Sequence, residues 1–316
     1  MSRLLALARP KGMILISTLP LVGFGYGLWE QGSTVHPFVV LPTMLALFGS
    51  WALGHAGAMW LNAELDQDQG EVLLGRPVTV PRGTGIAGYL ALIASVSVSV
   101  GIGWPIAICA GICAVLAILY SHPRVALKPT AVGGPLVNGV GYGSLSPIAG
   151  WLATDPVLTW RAVVTVVLAV FFILGVYFAA QAFQADEDRA RGYRTLVATH
   201  GPRATLQVAR FCLSFAVVGA HVLAIAGAYP RAALVGIPVW IWMDRHFAAW
   251  LRKKDGGTGA DASKLVGILC LAVFLMLLGA YAHQAYVLHY GLPAAGCGTA
   301  LVPEALAPIC GGQIGQ

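Results

Sequence analysis

Hydrophobic positions run along this 316-residue chain in long blocks, not at the alternating spacing of a half-buried soluble element. The blocks match the roughly 17 to 25 apolar residues that a helix needs to cross a bilayer core. They predict spans at about 13–29, 38–62, 84–103, 105–120, 131–152, 162–183, 205–228, 232–250 and 265–285. The third and fourth meet at a tight corner, Gly103-Trp104-Pro105. The pattern therefore reads as an all-α polytopic membrane protein, a bundle of nine transmembrane helices over residues 1–285. A Gly/Pro/Ala-rich tail follows at 286–316. The first apolar block has no evident cleavage site and reads as a retained helix.

Composition supports this reading: 58% of residues are hydrophobic and 10% charged, outside the range of soluble domains. The formal net charge of +6 would suggest an anionic polymer as partner, but its placement argues against nucleic acid. With the N-terminus inside, 17 of the 19 Lys and Arg fall on the cytoplasmic side, leaving only Arg161 and Arg231 outside. The expectation is a multi-pass protein of a bacterial plasma membrane, with a cytoplasmic N-terminus and an extracytoplasmic tail. Cys109, Cys113, Cys212 and Cys270 sit inside apolar blocks as packing residues. Cys297 and Cys310 lie in the tail, where an oxidising compartment would permit a disulfide. No CxxC or His/Cys cluster points to zinc or iron–sulfur.

Two charged islands interrupt the apolar pattern, Asn62–Glu71 and Gln184–Arg191, and together they hold seven of the thirteen acidic residues. Carboxylates at the mouth of a membrane bundle are costly and need a compensating function. A divalent cation gripping a phosphorylated lipid supplies one. Asn62 and Asp66 are spaced i, i+4 and share a helical face, which extends backwards to His55 and Trp51. Gln181, Gln184 and Asp188 share a face in the same way. Oxygen ligands of this kind suit Mg²⁺, which keeps several waters and takes one or two carboxylates plus substrate phosphates. The candidate metal ligands are Asn62, Asp66, Asp68, Glu71, Gln184, Asp186 and Asp188, with Asp66 and Asp188 as the catalytic carboxylates.

Cations flank both islands and occupy the loop between them. Arg76, Tyr120, Arg124, Lys128 and Arg189 are the candidate diphosphate-binding residues, Arg as a bidentate clamp and Lys as a point charge. The candidate substrate pocket is Trp51, His55, Asn138 and Tyr142. Asn138 and Tyr142 are i, i+4 neighbours within a Gly-rich run that permits close helix packing. A shift of 122 residues maps Asn62 and Asp66 onto Gln184 and Asp188, which suggests two related four-helix halves plus a ninth helix.

At these motifs the chain resembles the UbiA superfamily of intramembrane prenyltransferases. The family pattern Asn-Asp-x-x-Asp-x-x-x-Asp is similar to Asn62-Ala63-Glu64-Leu65-Asp66 and its continuation to Gly70. The second pattern, Asp-x-x-x-Asp-Arg-x-x-Gly-x-x-Thr-Leu, is similar to Gln184 through Asp188-Arg189, Gly192 and Thr195-Leu196. Tyr120 through Lys128 resembles the family's inter-helix loop, and Arg9-Pro10 its pair leading the first helix. The resemblance implies a cytoplasm-facing central cavity and Mg²⁺-dependent prenyl transfer from an isoprenyl diphosphate. It also implies a carbocation, with Trp60, Tyr142, Phe183 and Tyr193 as its cation–π support. The acceptor would be lipophilic: an aromatic, quinone-precursor or tetrapyrrole-like molecule in the bilayer. Ala63, Gly70 and Gln184 depart from the pattern, each standing where the family has Asp. That leaves Asp66 and Asp188 as motif carboxylates, with Asn62 and Gln184 as neutral ligands and Asp68, Glu71 and Asp186 as neighbouring replacements. Two other readings of the altered motifs are a terpene cyclase of the same family and a non-catalytic lipid- or quinone-binding or transport protein.

Overall fold

The computed structural model describes residues 3–30, 37–66, 78–125, 127–154, 159–253 and 256–290. Asp68, Glu71, Arg76, Cys297 and Cys310 lie outside these ranges, as does the chain beyond 290. The apolar blocks are helical because within hydrocarbon a helix satisfies every backbone N–H and C=O inside one segment. In order the helices are α1 (Arg3–Leu7), α2 (Pro10–Glu30), α3 (Pro37–Asp66), α4 (Thr84–Ile102) and α5 (Trp104–Ser121). Then come α6 (Gly133–Asn138), α7 (Ser146–Leu152), α8 (Trp160–Gln181), α9 (Ala185–Ala190) and α10 (Leu196–Ile225). The last two are α11 (Ile237–Trp250) and α12 (Gly259–Tyr290).

Among the described residues, seven helices are long and apolar enough to cross a membrane: α2, α3, α4, α5, α8, α10 and α12. The segments expected at 131–152 and 232–250 are helical but composite. A π segment, Gly139–Leu145, joins α6 to α7, and a 3₁₀ turn, Arg231–Gly236, leads into α11. Nine spans thus stay an expectation of the sequence.

Several boundaries move, the start of the last helix to Gly259 among them. The helix expected from 205 begins at Leu196, where the Thr195 hydroxyl accepts from Ala198 N at 3.3 Å and caps the first turn. That turn is polar and so invisible to a search for apolar blocks. It is set at an angle to the rest of α10 by a break at Gly201 (φ 81°, ψ 170°) and Pro202. The final helix continues to Tyr290, past the expected end at 285.

Packing relies on small residues and short hydrogen bonds between helices. Gly150 of α7 meets α2 so closely that an added Cβ would strike the Pro20 carbonyl oxygen, so the two backbones touch. Between α3 and α4, Ser50 Oγ donates to Ser95 O at 2.9 Å and lies 2.7 Å from Ser99 Oγ. One core gathers Leu15, Ala179, Leu213, Phe247, Trp250 and Leu265 from α2, α8, α10, α11 and α12. A second gathers Leu19, Phe24, Leu47, Trp51 and Ala149 around α2, α3, α5 and α7. At the start of α8, Arg161 pairs with Glu30 at 3.4 Å and lies over the Trp29 and Trp160 rings at 5.5 and 5.2 Å.

Candidate active site

The opposite end of α8 builds the site. The helix ends at Gln181, the chain unwinds through Ala182–Gln184, and α9 follows with Asp186, Glu187 and Asp188 in its first turn. Acidic side chains suit that position because the N-terminal N–H groups carry partial positive charge. Tyr193 N donates to Asp188 O and Arg194 N to Pro129 O, both at 2.8 Å. The second bond pins the loop after α5 beside α9 and carries Lys128 towards Asp188. Gly134, at the start of α6, approaches Tyr177 of α8 so closely that an added Cβ would collide with the phenol oxygen.

These elements enclose a cavity of about 200 Å³ between α2, α3, α5, the π segment, α8 and α9. Of the expected metal ligands it brings together Asn62, Gln184 and Asp188. Of the expected diphosphate residues it takes Tyr120 and Lys128, and of the expected pocket His55, Asn138 and Tyr142. Asp66 ends α3 one turn beyond Asn62, but its side chain lies outside the described part of the structure. Asp68, Glu71 and Arg76 lie outside it altogether.

Four expected residues are elsewhere. The Asp186 side chain is fully exposed and pairs with Arg189 at 3.1 Å, so neither lines the cavity. Arg189 also donates from Nε to Ala198 O at 3.2 Å. Successive residues on a helix turn by about 100°, so Arg189 faces away although it follows Asp188 directly. Arg124 is exposed on the loop. Trp51 is buried and does not line the cavity; its Nε1 donates to Ser146 Oγ at 2.7 Å. It shares a face with Asn62 but lies about 16 Å further along the helix. Of the cation–π candidates, Tyr142 and Tyr193 line the cavity. Trp60 instead donates to Leu4 O at 2.8 Å, and Phe183 packs against the first core.

The cavity also holds residues outside the expected set: Arg9, Tyr177, Gln181, Glu187, Arg191 and Thr195. Arg191 pairs with Glu187 at 2.7 Å and is the i+3 neighbour of Asp188, a spacing that the sequence displays. Thr195 was visible as part of the second motif, and Gln181 as one face-mate of Asp188. Tyr177 carried no signal beyond its aromatic ring.

Asp188 is 7% exposed and accepts from Thr195 Oγ1 at 2.5 Å. Burial pushes its carboxyl above the ordinary range, while the Thr195 hydroxyl and the charges of Lys128 and Arg191 pull it back. Asn62 Oδ1 accepts from Ser121 Oγ at 3.4 Å. Gln181 Nε2 donates to the Tyr177 hydroxyl at 2.8 Å, and its buried Oε1 has no hydrogen-bond partner. His55 Nδ1 lies 3.2 Å from the Tyr142 hydroxyl, and its buried Nε2 has none either.

Among the described residues no group of three or more His, Cys, Asp or Glu gathers as a metal cluster. The donor set is instead one buried carboxylate with the amide oxygens of Asn62, Gln184 and Gln181. These are hard oxygen donors of the kind Mg²⁺ takes, with little protein charge. The residues fit Mg²⁺ held largely through waters and substrate oxygens.

The family model described as "UbiA prenyltransferase family" matches residues 18–264. Two relatives are named protoheme IX farnesyltransferase. That of Hyphomonas neptunium is 27% identical, covering 82% of each chain. That of Cereibacter sphaeroides is 26% identical, covering 91% of this chain and 93% of its own. Among solved structures, a UbiA homologue of Archaeoglobus fulgidus bound to DMAPP and Mg²⁺ superposes with a TM-score of 0.64. It is 17% identical, and the match covers 88% of this chain and 99% of that one. A digeranylgeranylglyceryl phosphate synthase gives 0.58 at 20% identity, covering 89% and 98%. The chain belongs to the UbiA prenyltransferase family. It is an integral, multi-pass membrane enzyme, a prenyltransferase.

Proposed function

We propose that this enzyme moves a prenyl group from an isoprenyl diphosphate to a lipophilic acceptor in a Mg²⁺-dependent reaction. The observation that carries the reading is one cavity uniting a buried carboxylate, four amide side chains and three cations with aromatic walls. Asn62, Gln184 and Asp188 would hold the metal, joined by Asp66 from the end of α3. Mg²⁺ bound there would neutralise charge developing on the diphosphate as the C–O bond breaks. Lys128 and Arg191 bind the diphosphate oxygens and offset the charge left on them. The bond's electron pair leaves with the diphosphate, and the allylic carbon is left positive. Tyr142, Tyr177 and Tyr193 present ring faces to that cation, and the apolar helix walls keep water from it. The acceptor then forms the new bond and gives up a proton.

The names of the two relatives support farnesyl diphosphate as the first donor to assay and a haem-type tetrapyrrole as the first acceptor. The distribution of Lys and Arg supports placing the cavity and the N-terminus on the cytoplasmic side of a bacterial plasma membrane. The test is diphosphate release by the purified protein from allylic diphosphates of several chain lengths, with Mg²⁺ and with chelator. Metal-dependent release that collapses in Asp66→Ala and Asp188→Ala is expected. Release unaffected by both substitutions would sink the proposal.

A further inference from the structure

Away from the cavity, the membrane-crossing helix α10 carries a polar stripe on its outer surface. Arg203, Gln207, Arg210 and Ser214 are spaced i, i+4, i+7 and i+11, which brings them to one side of the helix. None of them lines the cavity, and Arg203 and Gln207 are exposed. Arg210 lies about 10 Å along the helix from Arg203. At that depth Gly175 of α8 packs so closely that an added Cβ would collide with the Leu213 side chain. Gly175 is about 9 Å inside the end of α8 at Gln181, so Arg210 stands well within the span. Polar groups facing hydrocarbon cost free energy unless something polar covers them.

Part of the cover is internal. Arg210 donates from Nε and Nη2 to the two carboxylate oxygens of Asp244 on α11, at 2.7 and 2.9 Å. Yet the two side chains stay 38% and 33% exposed, and the contact leaves guanidinium N–H groups over. Tying α10 to α11 therefore explains Arg210 and Asp244 but not Arg203 or Gln207. Arg203 has no carboxylate partner among the described residues. Arg245, the residue after Asp244, is exposed as well. The face thus carries Arg203, Arg210 and Arg245 against Asp244 alone, an excess of positive charge. Apolar surface adjoins it on both helices, since Phe211 and Phe215 of α10 and Ile241 and Trp242 of α11 are exposed.

We propose that this face binds an anionic phospholipid of the leaflet that adjoins the candidate active site. Arg203 and Gln207 hold the phosphodiester near the membrane surface, the guanidinium as a two-pronged donor that matches phosphate oxygens. Arg210 closes the deeper end of the head-group site with its remaining N–H groups. Asp244 keeps Arg210 in place, and Arg245 adds positive field from the side. The acyl chains lie along Phe211, Phe215 and Trp242. A positive face favours an anionic head group over a zwitterionic one, each arginine near the surface contributing about fivefold. This site is on the outside of the bundle, shares no residue with the cavity and does not depend on prenyl transfer.

The test is native mass spectrometry of the detergent-solubilised full-length protein. Dioleoylphosphatidylglycerol and dioleoylphosphatidylcholine, which share their acyl chains, compete as probes. Wild type should prefer the glycerol lipid by about tenfold or more, and Arg203→Ala should lower that preference about fivefold. Arg203→Lys, which keeps the charge, should hold most of it and shows that the site has formed. Arg82→Ala removes an exposed arginine just before α4, at the same end of the bundle, and should change the preference by less than about twofold. Equal binding of the two lipids to wild type would overturn the assignment. A loss in Arg82→Ala as large as that in Arg203→Ala would do the same, because the attraction would then belong to a diffuse positive surface. So would a dimer that Gln207→Leu dissociates, since a second copy would then cover the stripe. Every variant keeps the Arg210–Asp244 pair between α10 and α11.

Discussion

At the start of α8, Arg161 is enclosed: Glu30 takes its charge, Thr159 donates to the same carboxylate at 2.9 Å, and two tryptophan faces cover the guanidinium. About 30 Å along the bundle lies Asp188. It too is largely buried, but its described hydrogen-bond partner is the Thr195 hydroxyl, and the cavity bounds its other side. The first arrangement lies outside the cavity and ties α2 to α8, although Arg161 Nε has no hydrogen-bond partner. The second leaves electrostatic demand for a ligand to meet. Charge in the membrane is thus no guide to function by itself; whether it borders a cavity is.

Four substitutions would break or sharpen this contrast. Asp188→Ala should reduce diphosphate release by about 100-fold or more, the scale of losing one preorganised electrostatic contact, with little loss of thermal stability. Retained activity would make Asp188 structural, like Arg161. Thr195→Val should cost about tenfold and change the pH profile, because the lost bond favours the ionised carboxylate. Burial already raises the Asp188 pKa, so removing Thr195 raises it further and moves the acid limb of activity to higher pH. A limb that stays in place would separate Asp188 from the titration. Arg161→Ala should lower stability by about 1 to 2 kcal/mol, a partly exposed ion pair plus its ring contacts, at unchanged activity per folded molecule. Differential scanning with an activity assay on the same sample checks both halves. Arg189→Ala should change diphosphate release by less than about twofold, because Arg189 pairs with the exposed Asp186 and with Ala198 O. A large effect would return it to the diphosphate site.

Much of this architecture was legible in the chain because a bilayer imposes simple rules on helix length and composition. Asn62 and His55 line the cavity from one face of α3, as their spacing suggests, whereas Gln184 reaches it from the unwound turn after α8 and Asp188 from α9. Adjacency was the poorer guide. Arg189 follows Asp188 directly and faces away, whereas Arg191, the i+3 neighbour of Asp188, lines the cavity with Arg9 and Lys128. Trp51 shares the face of His55 and Asn62 but does not line the cavity; its Nε1 is bonded to Ser146 of α7. That partner comes from a distant helix, and no local pattern records it. The π segment was equally hidden, because its glycines read as packing residues.

That segment, Gly139–Leu145, works as a phase adjuster. An uninterrupted α-helix from Gly133 to Leu152 would carry one angular register throughout. The wider turn accommodates extra backbone, resetting the direction of side chains downstream relative to those upstream. Two contacts with different angular demands can then share one rod: Asn138 and Tyr142 towards the substrate space, and Gly150 against the backbone of α2. Removing a single residue from this stretch would leave every side chain chemically intact while rotating one half of the rod out of step with the other.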